Sequence, residues 1–233
     1  MPAEMALSIV VPTLNEEASL PALLGDLASL AGSAAEVVVA DGGSTDETVR
    51  LAASLGARVV TTAPGRGVQL RAGVAATQAP HLLILHADVR LPPPALQELR
   101  ETLGAGVTGP WAFRLAIDAP EPKFRLIESA ANFRSRLFHL PYGDQGLLIR
   151  RAHYDRVGGF PSVVLMEDVA LALALRRISP IRLLRSSILV SARRWAREGV
   201  LVRSTRNLVL LARYLAGARP QDLSAEYKPA ARD

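Results

Sequence analysis

His81-Leu82-Leu83-Ile84-Leu85-His86-Ala87-Asp88 decides the fold: an apolar run ending on an imidazole and a carboxylate, with Val89-Arg90-Leu91-Pro92-Pro93-Pro94 behind it. A short run of this kind with turn chemistry after it reads as a buried parallel strand presenting Asp88 at the carboxyl edge of a sheet. In open α/β sheets that edge is where ligands bind. Two earlier runs carry acids to the same edge, Ser8-Ile9-Val10-Val11-Pro12-Thr13-Leu14-Asn15-Glu16 and Glu36-Val37-Val38-Val39-Ala40-Asp41-Gly42-Gly43. Three acidic strand ends in the first 90 residues make a site.

Outward from these runs, strand patterns at 7–13, 36–40, 58–61 and 82–86 alternate with helical patterns at 17–30, 46–55, 67–77 and 93–103. The alternation predicts an α/β fold, a mostly parallel sheet built from βαβ crossovers with helices on both faces. Past residue 105 the rhythm loosens into a mixed α+β half: strand 109–117, helix 123–139, strand 145–150, short helix 151–157, helix 167–178 and strand 181–190. Residues 197–217 predict one long basic amphipathic helix, with Val200, Leu201, Leu208, Leu211 and Leu215 on its apolar side and Arg203, Arg206 and Arg213 charged. Residues 218–233 read as a frayed polar tail.

With 233 residues, 49% of them hydrophobic, the chain can bury a full core. It has no cysteine, which excludes disulfides, thiolate metal sites and a cysteine nucleophile. Residues 1–6 lack a basic segment followed by an apolar one, and no apolar run approaches the roughly 18 residues of a membrane span, so a cytoplasmic protein is expected. Charge is unevenly spread. Residues 1–120 carry 7 Lys/Arg against 12 Asp/Glu, net −5, whereas residues 121–233 carry 20 against 10, net +10. All basic residues but Lys123 and Lys228 are arginines, a composition suited to bidentate binding of phosphate or carboxylate. Aromatics make up only 5% of the chain and are not interleaved with the basic residues, which argues against a nucleic-acid partner.

In Asp41-Gly42-Gly43-Ser44-Thr45-Asp46-Glu47 the glycines give a tight turn, and Ser44 with Glu47 predicts a capping box for the next helix. That leaves Asp41 at the crevice, placed to accept hydrogen bonds from a nucleobase or ribose. Pro64-Gly65-Arg66-Gly67-Val68-Gln69-Leu70-Arg71 opens a helix, and a helix N-terminus with arginines at its mouth suits a diphosphate. No Gly-Lys-Ser/Thr follows, which excludes a P-loop, and Pro12–Glu16 stands where a dinucleotide fingerprint would. His86 and Asp88, two apart on an extended backbone, would point the same way and converge on a hard cation whose shell phosphates and water complete. Gly143-Asp144-Gln145-Gly146 precedes an apolar strand. Glu167 and Asp168 open an apolar helix but, being adjacent, project differently, so only one faces a given substrate.

Taken in order, Val11–Glu16, Asp41–Asp46, Gly65–Gly67, His86–Asp88, Gly143–Gly146, Gly158-Gly159-Phe160 and Glu167-Asp168 resemble a family 2 glycosyltransferase of the GT-A fold, over nearly the whole chain up to Trp195. The resemblance implies one GT-A domain over 1–195, with a nucleotide-binding half at 1–105 and an acceptor half at 106–195, followed by the basic helix and tail at 196–233. It implies that Pro12, Thr13, Glu16, Asp41, Arg66, Arg71 and Ala87 bind the nucleotide. Asp88 would hold Mg²⁺ or Mn²⁺ with His86, which stands where the family's Asp-x-Asp element has its first Asp. Asp168 would be the general base with Glu167 beside it, and Asp144, Gln145, Arg193, Arg194 and Trp195 would lie on the acceptor side. The implied reaction is inverting transfer from a nucleoside-diphosphate sugar, most simply a UDP-sugar, to a hydroxyl of a small molecule, lipid or glycan. Separately, the net +10 of residues 121–233 and the basic C-terminal helix suggest an acidic acceptor or peripheral contact with an anionic membrane surface. A nucleotidyltransferase-like or purely nucleotide-sugar-binding protein is the alternative.

Overall fold

The computed structural model describes residues 7–30, 35–163, 165–192 and 199–226. Its frame is one eight-stranded sheet. The strands are β1 (Leu7–Thr13), β2 (Ala35–Asp41), β3 (Arg58–Thr61), β4 (His81–Ile84), β5 (Val89–Arg90), β6 (Trp111–Asp118), β7 (Leu147–Arg150) and β8 (Arg182–Ser191), in the order β3-β2-β1-β4-β7-β6-β8-β5. From β3 to β4 every pairing is parallel, as the alternating sequence predicts. β7 then inserts antiparallel between β4 and β6, β8 runs parallel to β6 with a register shift between Ala112 and Arg114, and the two-residue β5 closes the edge antiparallel to β8.

Helices cover both faces because the central strands are apolar on both sides. Leu7, Ile9 and Val11 of β1 with Leu83 and Leu85 pack under α1 (Leu20–Leu27), α4 (Pro93–Gly104) and Phe124 and Ala131 of α5 (Pro122–Phe138). Val10, Leu82 and Ile84 face the other way, with Ile149, against Leu70 and Val74 of α3 (Arg66–Ala75), Tyr154 of α6 (Arg151–Arg156) and Val169, Leu171, Ala172 and Leu175 of α7 (Glu167–Leu175). The remaining helices are α2 (Thr48–Ser54), α8 (Val200–Leu215) and α9 (Pro220–Glu226), the last lying where a frayed tail is expected from sequence. Among the described residues no helix is long and apolar enough to cross a membrane.

Three local expectations are corrected. The strand expected over 82–86 ends at Ile84, and Ala87-Asp88 form a turn before β5, so the extended backbone that would align His86 with Asp88 is absent. No capping box forms: the Ser44 hydroxyl donates to Asp41, and it is the Asp46 carboxylate that accepts from the backbone N–H of Thr48, the first residue of α2. On α8 the expected polarity holds for Leu211, which is buried, but not for the arginines or for Leu208 and Leu215. Arg203 is buried and Arg206 and Arg213 are half-buried, while Val202, Leu208, Val209 and Leu215 face solvent. Leu211 and Tyr214 seat this helix on the second core.

Candidate active site

The carboxyl ends of β1 and β2 are locked into one platform. The Asp41 carboxylate, 1% exposed, accepts from the Thr13 hydroxyl (3.0 Å), the Gly43 and Ser44 N–H groups (2.9 and 2.8 Å) and the Ser44 hydroxyl (2.5 Å). A carboxylate offers about four lone-pair sites, so all are engaged within the turn, and a ligand would have to exchange for one of them. The two loops also clasp each other: Asn15 N–H donates to Ser44 Oγ, Thr45 N–H to Asn15 Oδ1, and Glu16 N–H to Thr48 Oγ1. Asn15 holds φ +53° to do so.

Gln69 of α3 ties this platform to the helix. Its buried side-chain amide donates to the carbonyls of Thr13 (2.6 Å) and Ala40 (3.0 Å), and Gly42 leaves room for it, since a Cβ there would lie 3.0 Å from the amide. Pro12 and Ala87 are buried, and only their backbones can face a ligand. Nothing in the sequence pattern singles out Gln69, whose two partners lie 56 and 29 residues away.

Arg66, the first residue of α3, donates through Nε to Glu167 Oε1 at the start of α7. Glu167 is 1% exposed and its Oε2 has no hydrogen-bond partner. Burial raises its pKa, Asp168 adds to the effect, and Arg66 offsets only part of it. Asp168 goes the other way. Burial alone would raise its pKa, but Arg66, the Gly143 N–H and His86 together hold it below the usual carboxylate range. Adjacent acids driven apart in this way divide the labour: Asp168 stays ionised and reachable, whereas Glu167 is sequestered.

His86, Gly143 and Asp168 meet at one point. Gly143 N–H donates to Asp168 Oδ2 (2.8 Å), and a Cβ built on Gly143 would lie 2.6 Å from His86 Nε2 and 3.2 Å from Asp168 Oδ2. These groups edge a solvent-open recess whose lining is apolar elsewhere, including Leu70, Ile84, Leu147 and Phe160. Tyr142 forms part of the rim, with the Arg134 guanidinium stacked 3.5 Å from its ring. Burial raises the Tyr142 phenol against the opposing Arg134 charge, with Asp168 and Asp144 adding to it. Tyr214 of α8 packs against the core that includes Leu70, Ile84 and Phe160, and its phenol is likewise raised by burial and by the Asp168 charge. Neither tyrosine is marked by its sequence neighbourhood.

Other expected residues stand elsewhere. Gln145 is fully buried: its amide N–H donates to Phe113 O, and its oxygen accepts from Ser135 Oγ and Arg134 Nη2, so it pins the loop and cannot touch an acceptor. Arg71 donates to Phe160 O (3.3 Å), on the side of α3 facing α6. The Gly158–Phe160 stretch is anchored there, with Phe160 N–H donating to Tyr154 Oη. Asp88 and Asp144 are half-buried near the strand ends and the 143–145 turn respectively. Arg193, Arg194 and Trp195 lie outside the described residues. Among the described residues no group of three or more His, Cys, Asp or Glu could hold a metal ion alone.

The family model described as Glycosyl transferase family 2 matches residues 8–160, and the chain belongs to that family. An uncharacterised glycosyltransferase of Mycobacterium tuberculosis is 42% identical over 108 residues, 45% of this chain and 48% of that protein. The glucosyl-3-phosphoglycerate synthase of M. tuberculosis is 34% identical over 102 residues, 40% of this chain and 32% of its own length. The aligned segments thus span less than half of these relatives. In structure, the S. aureus TarS fragment 1–349 superimposes with TM-score 0.64 at 19% identity, over 81% of this chain and 61% of that one. The M. tuberculosis glucosyl-3-phosphoglycerate synthase, solved with Mn²⁺, UDP and glucosyl-3-phosphoglycerate, gives TM-score 0.55 at 23% identity over 80% and 70%. The fold is GT-A.

Proposed function

We propose that the protein transfers a sugar from a nucleoside-diphosphate sugar, most simply a UDP-sugar, to an acceptor hydroxyl with inversion at the anomeric carbon, and that Asp168 is the base. The carrying observation is the meeting of Asp168, Gly143 and His86 at the mouth of an apolar recess on the edge where β1, β2 and β4 end. The nucleoside would rest on the Pro12–Glu16 and Asp41–Ser44 platform, whose internal hydrogen bonds fix its shape before a ligand arrives. Arg66, at the N-terminus of α3, would meet the diphosphate, where helix end and guanidinium both favour negative charge.

Asp168 is ionised at neutral pH and half-buried at the recess, so it can take the proton of the attacking hydroxyl as the glycosidic bond forms. Gly143 N–H fixes the orientation of that carboxylate. Attack opposite the leaving diphosphate inverts the centre, and Glu167, buried against Arg66, is too occluded to serve as a second nucleophile. A divalent ion would draw most of its ligands from diphosphate and water, with Asp88 and His86 as the candidate protein donors, which the turn at Ala87-Asp88 does not align on a single extended backbone. When bound, such an ion would neutralise charge developing on the leaving phosphate. The synthase named above was crystallised with UDP and Mn²⁺, which supports a divalent ion alongside the donor.

Calorimetry with UDP in Mg²⁺, in Mn²⁺ and in chelator tests the donor side. Binding strengthened by metal in the wild type, with the metal-dependent part lost in Asp88→Ala, is expected. Equal affinity in all three buffers would remove the metal from the account.

A further inference from the structure

The outward faces of α5 and α8 carry apolar side chains where solvent-facing helices ordinarily carry polar ones. On α5, Leu126, Phe133 and Leu137 are 74%, 64% and 55% exposed at spacings of seven and four, which puts them on one side of the helix, and Phe138 at its end is 54% exposed. On α8 the pairs Val202 with Val209 and Leu208 with Leu215 each repeat after seven residues, and all four face solvent. Lys123, Arg125 and Arg136 are exposed around the α5 stripe, within a half-chain of net charge +10.

The α5 helix ends at the active site. Beyond Phe138 the chain passes through Pro141 and Tyr142 to Gly143, which holds Asp168.

We propose that the α5 face docks the protein on an anionic lipid bilayer, with its phenylalanine and leucine side chains in the acyl boundary and Lys123 and Arg136 against headgroup phosphates. Exposed aromatic and aliphatic residues along a helix with a basic flank are the pattern of an interfacial helix. A second copy of the chain fits less well, because self-pairing of the α5 face would bring two sets of basic residues together. An anionic bilayer complements both the apolar stripe and its rim. Docking stands apart from the transfer reaction. Its consequence, an acceptor presented at the lipid surface, rests on the proposed transferase reading.

Flotation of the purified full chain with phosphatidylcholine vesicles, with and without phosphatidylglycerol, decides it. Flotation with the anionic vesicles, weakened by salt, is expected, along with at least a tenfold loss in the double variant Phe133→Ser/Phe138→Ser. UDP affinity and the circular dichroism melt of that variant should match the wild type, showing that fold and donor site are intact. Lys123→Glu/Arg136→Glu should reduce flotation on anionic vesicles without changing either control. Recovery of the protein only in the unbound fraction, or equal flotation on neutral and anionic vesicles, would overturn the proposal. So would a dimer by sedimentation equilibrium that the Phe133→Ser/Phe138→Ser change converts to monomer. UDP binding that fails in the wild type would count against the donor reading alone and leave flotation as the measure of docking.

Discussion

Gly143→Ala is the sharpest perturbation the site offers. Gly143 starts the turn that holds Asp168, and its φ is not among the positive values of this chain, so alanine adopts the backbone without strain. The added methyl would nevertheless lie 2.6 Å from His86 Nε2, 3.1 Å from His86 Cε1 and 3.2 Å from Asp168 Oδ2. Non-bonded carbon contacts relax at about 3.5 Å or more, so the imidazole must recede by about 1 Å, or the Gly143 N–H must draw away from Asp168. A misplacement of about 1 Å in a reacting constellation costs on the order of 10² in rate, equivalent to about 2.7 kcal/mol of barrier. The assay is UDP release from UDP-sugars in a coupled spectrophotometric reaction, beside a thermal melt and UDP calorimetry. A large loss of turnover with unchanged melting and near-normal UDP affinity is expected. Wild-type turnover in Gly143→Ala would show that the meeting of His86, Gly143 and Asp168 has no part in the reaction.

Gln69→Leu removes both bonds from α3 to the strand ends and leaves the Thr13 carbonyl with its bond from the Gly42 N–H, so urea unfolding should show a loss of about 2 kcal/mol with weakened UDP binding; an unchanged midpoint would mean the platform does not depend on this staple. Arg66→Gln takes the counter-charge from Glu167, whose folded pKa is already raised. A carboxyl raised in the folded state is most stabilising below its unfolded value of 4.5 and loses that contribution as pH climbs to the folded value, so the variant's deficit in thermal midpoint should widen from pH 5 to pH 8. A deficit independent of pH would place the role of Arg66 elsewhere. Asp168 has the opposite sign: its lowered pKa contributes stability above the unfolded value of 3.8 that is lost as pH falls through the folded value. Asp168→Asn should therefore blunt the acid limb of the stability curve, and an unaltered limb would contradict its ionised state.

The parallel half was legible because its signals are local: Ile9–Val11, Val37–Ala40 and Leu82–Leu85 are apolar runs, and the helices between them repeat their own pattern. What escaped depends on partners far along the chain. β5 is two residues long and exists through Val190 and Leu189, about a hundred residues later. The position of β7 between β4 and β6 is set by pairing across more than sixty residues, which no window of sequence contains. Ser44 and Glu47 satisfy a capping pattern, yet the Asp41 carboxylate competes for the Ser44 hydroxyl and wins. On α8 the arginines and Leu208 and Leu215 were misplaced for a related reason, since a periodic pattern separates two sides of a helix without saying which residues meet the body. At the site, Asp168 and His86 carry motif signals, but Gln69, Tyr142 and Tyr214 enter only through the packing of α3, α5 and α8.

The central claim is that, of two adjacent carboxylates, Asp168 takes the proton and Glu167 does not. Turnover and UDP affinity measured side by side for Asp168→Asn and Glu167→Gln test it most directly. With the shape of the side chain kept, Asp168→Asn should bind UDP normally and lose about 10² to 10⁴ in transfer rate, the range for removing a general base, while Glu167→Gln retains most of its rate. An Asp168→Asn enzyme with near-normal turnover, or a larger loss in Glu167→Gln, would contradict it.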